Sequence, residues 1–136
     1  MKKKVLFSII VVLVFVLVGV GIYMFFFRND DTVGTFKLED YSSRIEDYNN
    51  IFPEDKKPEP LGRIGSAEVA KEKAEAVLIE IYGEAAENRK PYCVSFDEQN
   101  QVWLVQETLP ENMLGGAAHI LIQKADGEVL AIWNYK

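Results

Sequence analysis

One apolar run sets the terms on which this chain folds. Val5 to Phe27 carries no charge, and its only polar groups are Ser8 and Tyr23. As a helix rising ~1.5 Å per residue the run reaches ~35 Å, against a bilayer hydrocarbon core of ~30 Å. The rest of a 136-residue chain is too small to surround that much apolar surface, so a buried core helix is a poor reading. A cleavable signal peptide has an apolar core of about 7–15 residues and ends at a small-residue site. This run is longer and ends in Tyr23-Met24-Phe25-Phe26-Phe27-Arg28, with no cysteine nearby to carry a lipid. The expectation is a retained transmembrane signal anchor over residues 5–27, in contact with the lipid bilayer, behind a cytoplasmic tail of residues 1–4. Lys2, Lys3 and Lys4 precede the span, while Arg28 alone comes after it, beside Asp30 and Asp31. The positive-inside bias then puts the N-terminus in the cytoplasm and the C-terminal domain outside, as a single-pass protein of the cell membrane. Tyr23 and the three Phe suit the outer interfacial belt.

The chain beyond the anchor is acidic. All 21 Asp and Glu, and all but Lys2, Lys3 and Lys4 of the 15 Lys and Arg, lie from Arg28 onward, a net of −9 there against −6 for the chain. Phosphate neutralisation needs a basic face, so nucleic acid is not expected as a partner. An anionic membrane surface is disfavoured for the same reason. The charge either keeps a surface domain soluble or steers a basic protein partner toward it.

The chemistry of bond-making is poorly represented. A nucleophilic triad needs a base beside the nucleophile. The only histidine, His119, lies in a strand pattern, and no G-x-S-x-G occurs. Zinc sites need clustered His, Cys or carboxylate ligands, and the chain has one His and one Cys. Cys93 has no partner for an intrachain disulfide and reads as a small buried side chain. Asp97 and Glu98 read as a solvated turn. Gly115-Gly116 lacks the lysine and the helix of a phosphate-binding loop. No catalytic residue, metal ligand or cofactor is expected, and no enzymatic activity.

Residues 28–65 read as a spacer. Pro53 to Pro60 is charged and proline-rich, hence extended. Before it, Leu38, Tyr41, Ile45, Tyr48 and Phe52 fall at steps of 3, 4, 3 and 4, the stripe of an amphipathic helix over 38–52. A helix of that size is marginal in water unless the stripe docks. The domain proper is placed at 66–136. Ser66 is an N-cap with Glu68 in the first turn, Ala70, Ala74, Val77, Leu78 and Ile81 form one helical face, and Gly83 is a C-terminal cap. This predicts a helix over 67–82. Strand patterns come next at 92–96, 102–107, 119–124 and 128–133, with a turn at 97–101 and an Asp126-Gly127 hairpin signal that favours the primed turns. The fold class is α+β: one helix packed on a curved four-stranded antiparallel sheet.

Three of these strands are apolar on both faces, and one helix covers one face. The second face is covered by the 38–52 segment, by a second copy of the chain in a homodimer, or by a different protein.

The stretch from Ser66 onward resembles the NTF2-fold immunity proteins of bacterial polymorphic toxin systems. The resemblance is carried by the Ala-rich helix ending Ile81-Tyr82-Gly83 and by Lys90-Pro91-Tyr92. Further on it is carried by Val102-Trp103-Leu104-Val105, Leu109-Pro110 with Gly115-Gly116, and Ile122 to Leu130. It implies a cystatin-like helix on a curved sheet, no catalysis, and direct binding that neutralises a cognate toxin. The expected toxin-contacting residues do not come from the resemblance. They are Glu111, Asn112, Met113 and Leu114 at the tip of the Pro110–Gly116 loop, Gly115 and Gly116 that reverse it, and Trp103 and Trp133 if they line an open sheet face. The glycines also read as a plain chain reversal, and the two Trp as core. The alternative function is a PepSY-like or cystatin-like envelope module that inhibits or assembles a membrane or secreted enzyme.

Overall fold

The computed structural model describes residues 2–26, 33–109 and 115–134, in two units, residues 1–30 and 31–136. The first unit holds the helix α1 (Lys2–Phe26). Its stretch Lys2–Gly21 has a mean hydropathy of 2.8, long and apolar enough to cross a membrane, a test that a signal sequence passes as well.

The second unit begins with a two-residue strand, β1 (Gly34–Thr35). The amphipathic stripe read over 38–52 folds as a 3-10 turn, Leu38–Tyr41, running into α2 (Ser42–Ile51). The stripe does dock: Tyr48 is buried, and Leu38, Tyr41, Ile45 and Phe52 pack against the same core. Ile51, off the stripe, is 77% exposed.

Helix α3 (Ala67–Tyr82) starts as its sequence dictates. Ser66 is extended, and its Oγ accepts from the Val69 N–H at 3.3 Å. Ala70, Ala74, Val77 and Leu78 are buried along one stripe, and the small alanines let the helix sit close to the sheet. Ile81 departs from the expected face and is 36% exposed. Gly83 ends the helix at φ +67°, and its N–H donates to the Ile79 carbonyl at 2.7 Å. A single turn, α4 (Glu84–Glu87), comes directly after it.

Four strands then make a meander: β2 (Cys93–Asp97), β3 (Val102–Gln106), β4 (Ala118–Gln123) and β5 (Val129–Asn134). The expectation of a four-stranded antiparallel sheet is corrected here. The sheet has five strands in the order β1-β2-β3-β4-β5, and it is mixed, because β1 lies parallel to β2 with Gly34 opposite Ser95. Two residues carry no alternation, so a strand this short is defined only by its partner. A Cβ at Gly34 would sit 2.6 Å from the Ser95 Oγ, so a larger residue there would require that hydroxyl to turn away. The register between β4 and β5 slips at Leu121/Ile122, a bulge of the kind that bends a strand.

Two turn readings are also corrected. Asp97 is 4% exposed rather than solvated. Its carboxylate accepts from the Leu38 N–H (2.7 Å), the Asn100 N–H (3.0 Å) and the Asn100 side-chain amide (2.8 Å). The Asn100 amide, then the two backbone N–H groups, hold its pKa down at about 2. The Asp-Gly hairpin exists, but Gly127 alone in it has positive φ (+75°), where a primed two-residue turn of type I′ requires two such residues. Gly127 is fixed by packing as well. An added Cβ would lie 2.3 Å from the Gly62 carbonyl oxygen.

The register sorts the core onto two faces. Trp103, Val105, Ile120 and Ile132 share the face toward α3; Leu104, Leu121, Ala131 and Trp133 share the other. Helix α2 packs on β5, and Tyr41 meets the Trp133 ring at 5.4 Å. The 38–52 segment thus covers part of the second face.

Candidate functional site

A row of residues crosses the second face at the end of the sheet: Cys93, Gln106, His119 and Trp133 lie opposite one another on four successive strands. Alternation puts all four on one side. Trp133 closes the row at one end, stacked on His119 at 5.0 Å and 14°. At the other end β1 pairs only with Ser95 and Phe96, and Cys93 is left exposed rather than buried as its apolar surroundings in sequence implied. Between these ends lies an open cleft of about 390 Å³, lined by Cys93, Gln106, Thr108, Leu109, Gly115 and His119 among others.

The cleft is mostly apolar, and the side chains of Cys93, Thr108 and His119 in it are engaged. The Thr108 hydroxyl donates to the Pro91 carbonyl at 2.5 Å. Its single proton is thereby used, so the Cys93 thiol, 3.6 Å away, is the donor toward Thr108 Oγ1. His119 is 8% exposed. Its Nδ1 lies 2.9 Å from the Ala117 carbonyl, so Nδ1 carries the hydrogen. Burial holds the imidazole pKa below its ordinary value. Arg44 on α2 adds to this, and the Ala117 carbonyl and Glu107 oppose it.

Against the cleft is a partly buried ion pair, whose Glu107 is among the lining residues. The Glu107 side chain is 2% exposed and lies 3.1 Å from Arg89 Nη1. The same carboxylate oxygen accepts from the Ala118 N–H at 3.0 Å, and Arg89 Nη1 also donates to the Gly116 carbonyl. The negative charge is felt nearby. Burial first, then Glu107, pushes the Tyr92 hydroxyl up to about 12, and the Tyr82 hydroxyl shifts the same way. Tyr92 donates to the Ala86 carbonyl at 2.6 Å.

Of the residues singled out from sequence, Gly115 lines the cleft and Gly116 lies against Arg89, with φ of +74° and +85°. Trp133 adjoins the cleft through His119. Trp103 lies on the opposite face, 6% exposed, with its indole N–H donating to the Ile64 carbonyl at 3.0 Å and its ring 4.3 Å from Phe96. Glu111, Asn112, Met113 and Leu114 lie outside the described residues. Sequence reasoning passed over Cys93, Gln106, Thr108 and His119 as a group. Gln106 was visible as the polar end of an apolar strand, but only the register shows what stands beside it.

A family model described as NTF2 fold immunity protein matches residues 69–136, half of the chain. No curated protein and no solved structure matches it.

Proposed function

We propose a function from the premise that this chain belongs to the NTF2 fold immunity protein family: it neutralises a cognate bacterial toxin by binding it directly, from a membrane anchor at residues 5–27. The observation that supports a binding role most directly is the cleft between Cys93, Gln106 and His119. It is concave and largely apolar, the form of site that takes an anchoring side chain from a partner. Gly115 lines the cleft, and Gly116 lies against Arg89 beside it. Glu111, Asn112, Met113 and Leu114 are proposed as contacts together with the cleft lining, and Trp133 supports His119 from behind. On this reading Trp103 serves the core. The net of −9 beyond the anchor favours a basic toxin and speeds its encounter. Tethering to the membrane raises the local concentration of the inhibitor.

The test is co-expression of the full-length chain with the toxin domain encoded beside it. Cells are expected to survive, and the detergent-purified proteins to elute as one complex. Death of cells that hold a normal level of the chain, with no complex formed, would overturn the reading. Orientation is tested separately with Gln99→Cys in a Cys93→Ser background. An impermeant maleimide is expected to label intact or wall-stripped cells; labelling only after lysis would reverse the topology.

A further inference from the structure

We propose that Arg89 and Glu107 are positioning residues for the binding cleft: their partly buried pair pins both ends of the β3–β4 connection and so sets the cleft mouth. The proposal rests on the binding reading above for its purpose, but its physical content stands apart from any toxin.

The connection leaves β3 at Glu107 and rejoins the sheet at Ala118. One backbone bond closes it, from the Glu107 N–H to the Ala118 carbonyl at 3.0 Å. The reciprocal bond, in which the Ala118 N–H would find a backbone carbonyl, is replaced by the Glu107 carboxylate at 3.0 Å. Ala118 is 1% exposed, so its N–H has no access to bulk water and depends on that oxygen. Arg89 approaches from the segment between α4 and β2. Its Nη1 bridges the carboxylate on one side of the connection and the Gly116 carbonyl on the other. Three chain segments therefore meet at one guanidinium nitrogen. Gly116 holds a φ of +85° against that guanidinium, which lies 3.5 Å from where its Cβ would be. Glu107 itself and the residues flanking this knot on both sides, Thr108, Gly115 and Ala117, line the cleft.

A buried ion pair is weak evidence of stability, since desolvation offsets much of its attraction, whereas its geometry is demanding. An apolar contact at this point would hold the segments together without fixing their register. The pair supplies direction: the two coplanar N–H groups of one guanidinium nitrogen are shared between the Glu107 carboxylate and the Gly116 carbonyl, and few arrangements satisfy both.

The test compares full-length wild type with Arg89→Met/Glu107→Gln, which removes both charges yet keeps an acceptor for the Ala118 amide. Arg89→Lys retains the charge on a shorter side chain that lacks the planar guanidinium geometry. Hydrogen exchange is read at Ala118 and at an internal control, Ile120. Cys93 labelling is read as the ratio of a bulky to a small maleimide. The double variant is expected to unfold within a few degrees of wild type. Its Ala118 amide should exchange about ten-fold faster while Ile120 is unchanged, and its labelling ratio should shift at least about three-fold. Arg89→Lys should fall between the two. Unchanged Ala118 exchange and an unchanged ratio in a folded double variant overturn the proposal. Should the double variant not fold, the same two readouts on Arg89→Lys decide. Where wild type protects cells from the toxin, equal protection by the double variant removes the functional consequence. Failure of wild type to protect overturns the binding reading instead.

Discussion

The two faces of the sheet are covered by different means. Toward α3 the contacts are mostly aliphatic and well buried: Ala70, Ala74 and Leu78 are fully buried, as are Val105 and Ile120 beneath them. The large polar-tipped side chains Trp103 and Tyr92 on that side have partners, the Ile64 carbonyl for the indole N–H and the Ala86 carbonyl for the hydroxyl. Toward α2 the cover is aromatic and partial. Tyr41, Trp133 and His119 form a run of rings, and Tyr48 packs on Phe52 at 5.0 Å. The Tyr48 hydroxyl and the Trp133 indole N–H are buried with no hydrogen-bond partner among the described residues. Unmade buried hydrogen bonds cost free energy. The α3 face therefore holds the fold, and the α2 face is where a cleft is tolerated. In this domain the proposed binding cleft lies on the side where polar groups are least completely satisfied.

The comparison breaks most visibly at Leu78. Leu78→Ala removes a fully buried side chain from the α3 face and should cost about 2–5 kcal/mol, read by urea unfolding of the full chain in detergent. A loss under ~1 kcal/mol would mean that the α3 face is not the principal core.

Asp97 ties the start of the α2 segment to the end of β2. Asp97→Asn leaves its donors facing a neutral group, and a loss of about 1.5–3 kcal/mol is expected. Acid has the same effect on the wild type. The folded pKa, about 2, lies below the ordinary 3.8, so the contribution is complete above 3.8 and is lost as pH falls toward 2. Unfolding midpoints measured across that window should flatten in Asp97→Asn; an unchanged slope would remove Asp97 from the account.

His119 gives a weaker effect at milder pH. Its folded pKa lies below the ordinary 6.5 because burial disfavours the charge. The unfolded chain then takes up the proton first, and stability declines as pH falls below 6.5. His119→Gln should lessen that decline, and NMR titration of the single imidazole should give a pKa under 6.5. A pKa above it would contradict the packing described for the ring.

The smallest effect has the opposite sign. Tyr48→Phe deletes a buried hydroxyl that lacks a partner among the described residues. Stability should hold or rise by up to ~1 kcal/mol, while the equivalent deletion of a satisfied hydroxyl, Tyr92→Phe, should lower it. If both variants lose equally, the two faces do not differ in polar satisfaction.

Much of the α3 side was legible in the residues. Ser66, the alanines and Gly83 act within one helix, where a capping oxygen and its N–H lie three residues apart. The strands were legible for the same reason, to within one residue at each end. The α2 stripe was visible, but not what it docks on. β1 was not visible, since its two residues form a strand only against Ser95 and Phe96. The candidate site was legible only at Gly115 and Gly116, whose conformational freedom is intrinsic. Cys93 and His119 are 26 positions apart, and their proximity comes from register, which no local pattern contains.

The amino-acid sequence by itself determined the apolar first helix, the acidic remainder, the capped helix and the alternation of the strands. Each depends on a residue's own chemistry or on neighbours within one or two turns. The tertiary structure alone decided that β1 joins the sheet in parallel, that Asp97 is buried, and that Arg89 meets Glu107 and Gly116. These depend on which distant segments share a surface, and the free energy that selects among such pairings belongs to the packed whole rather than to any stretch of chain.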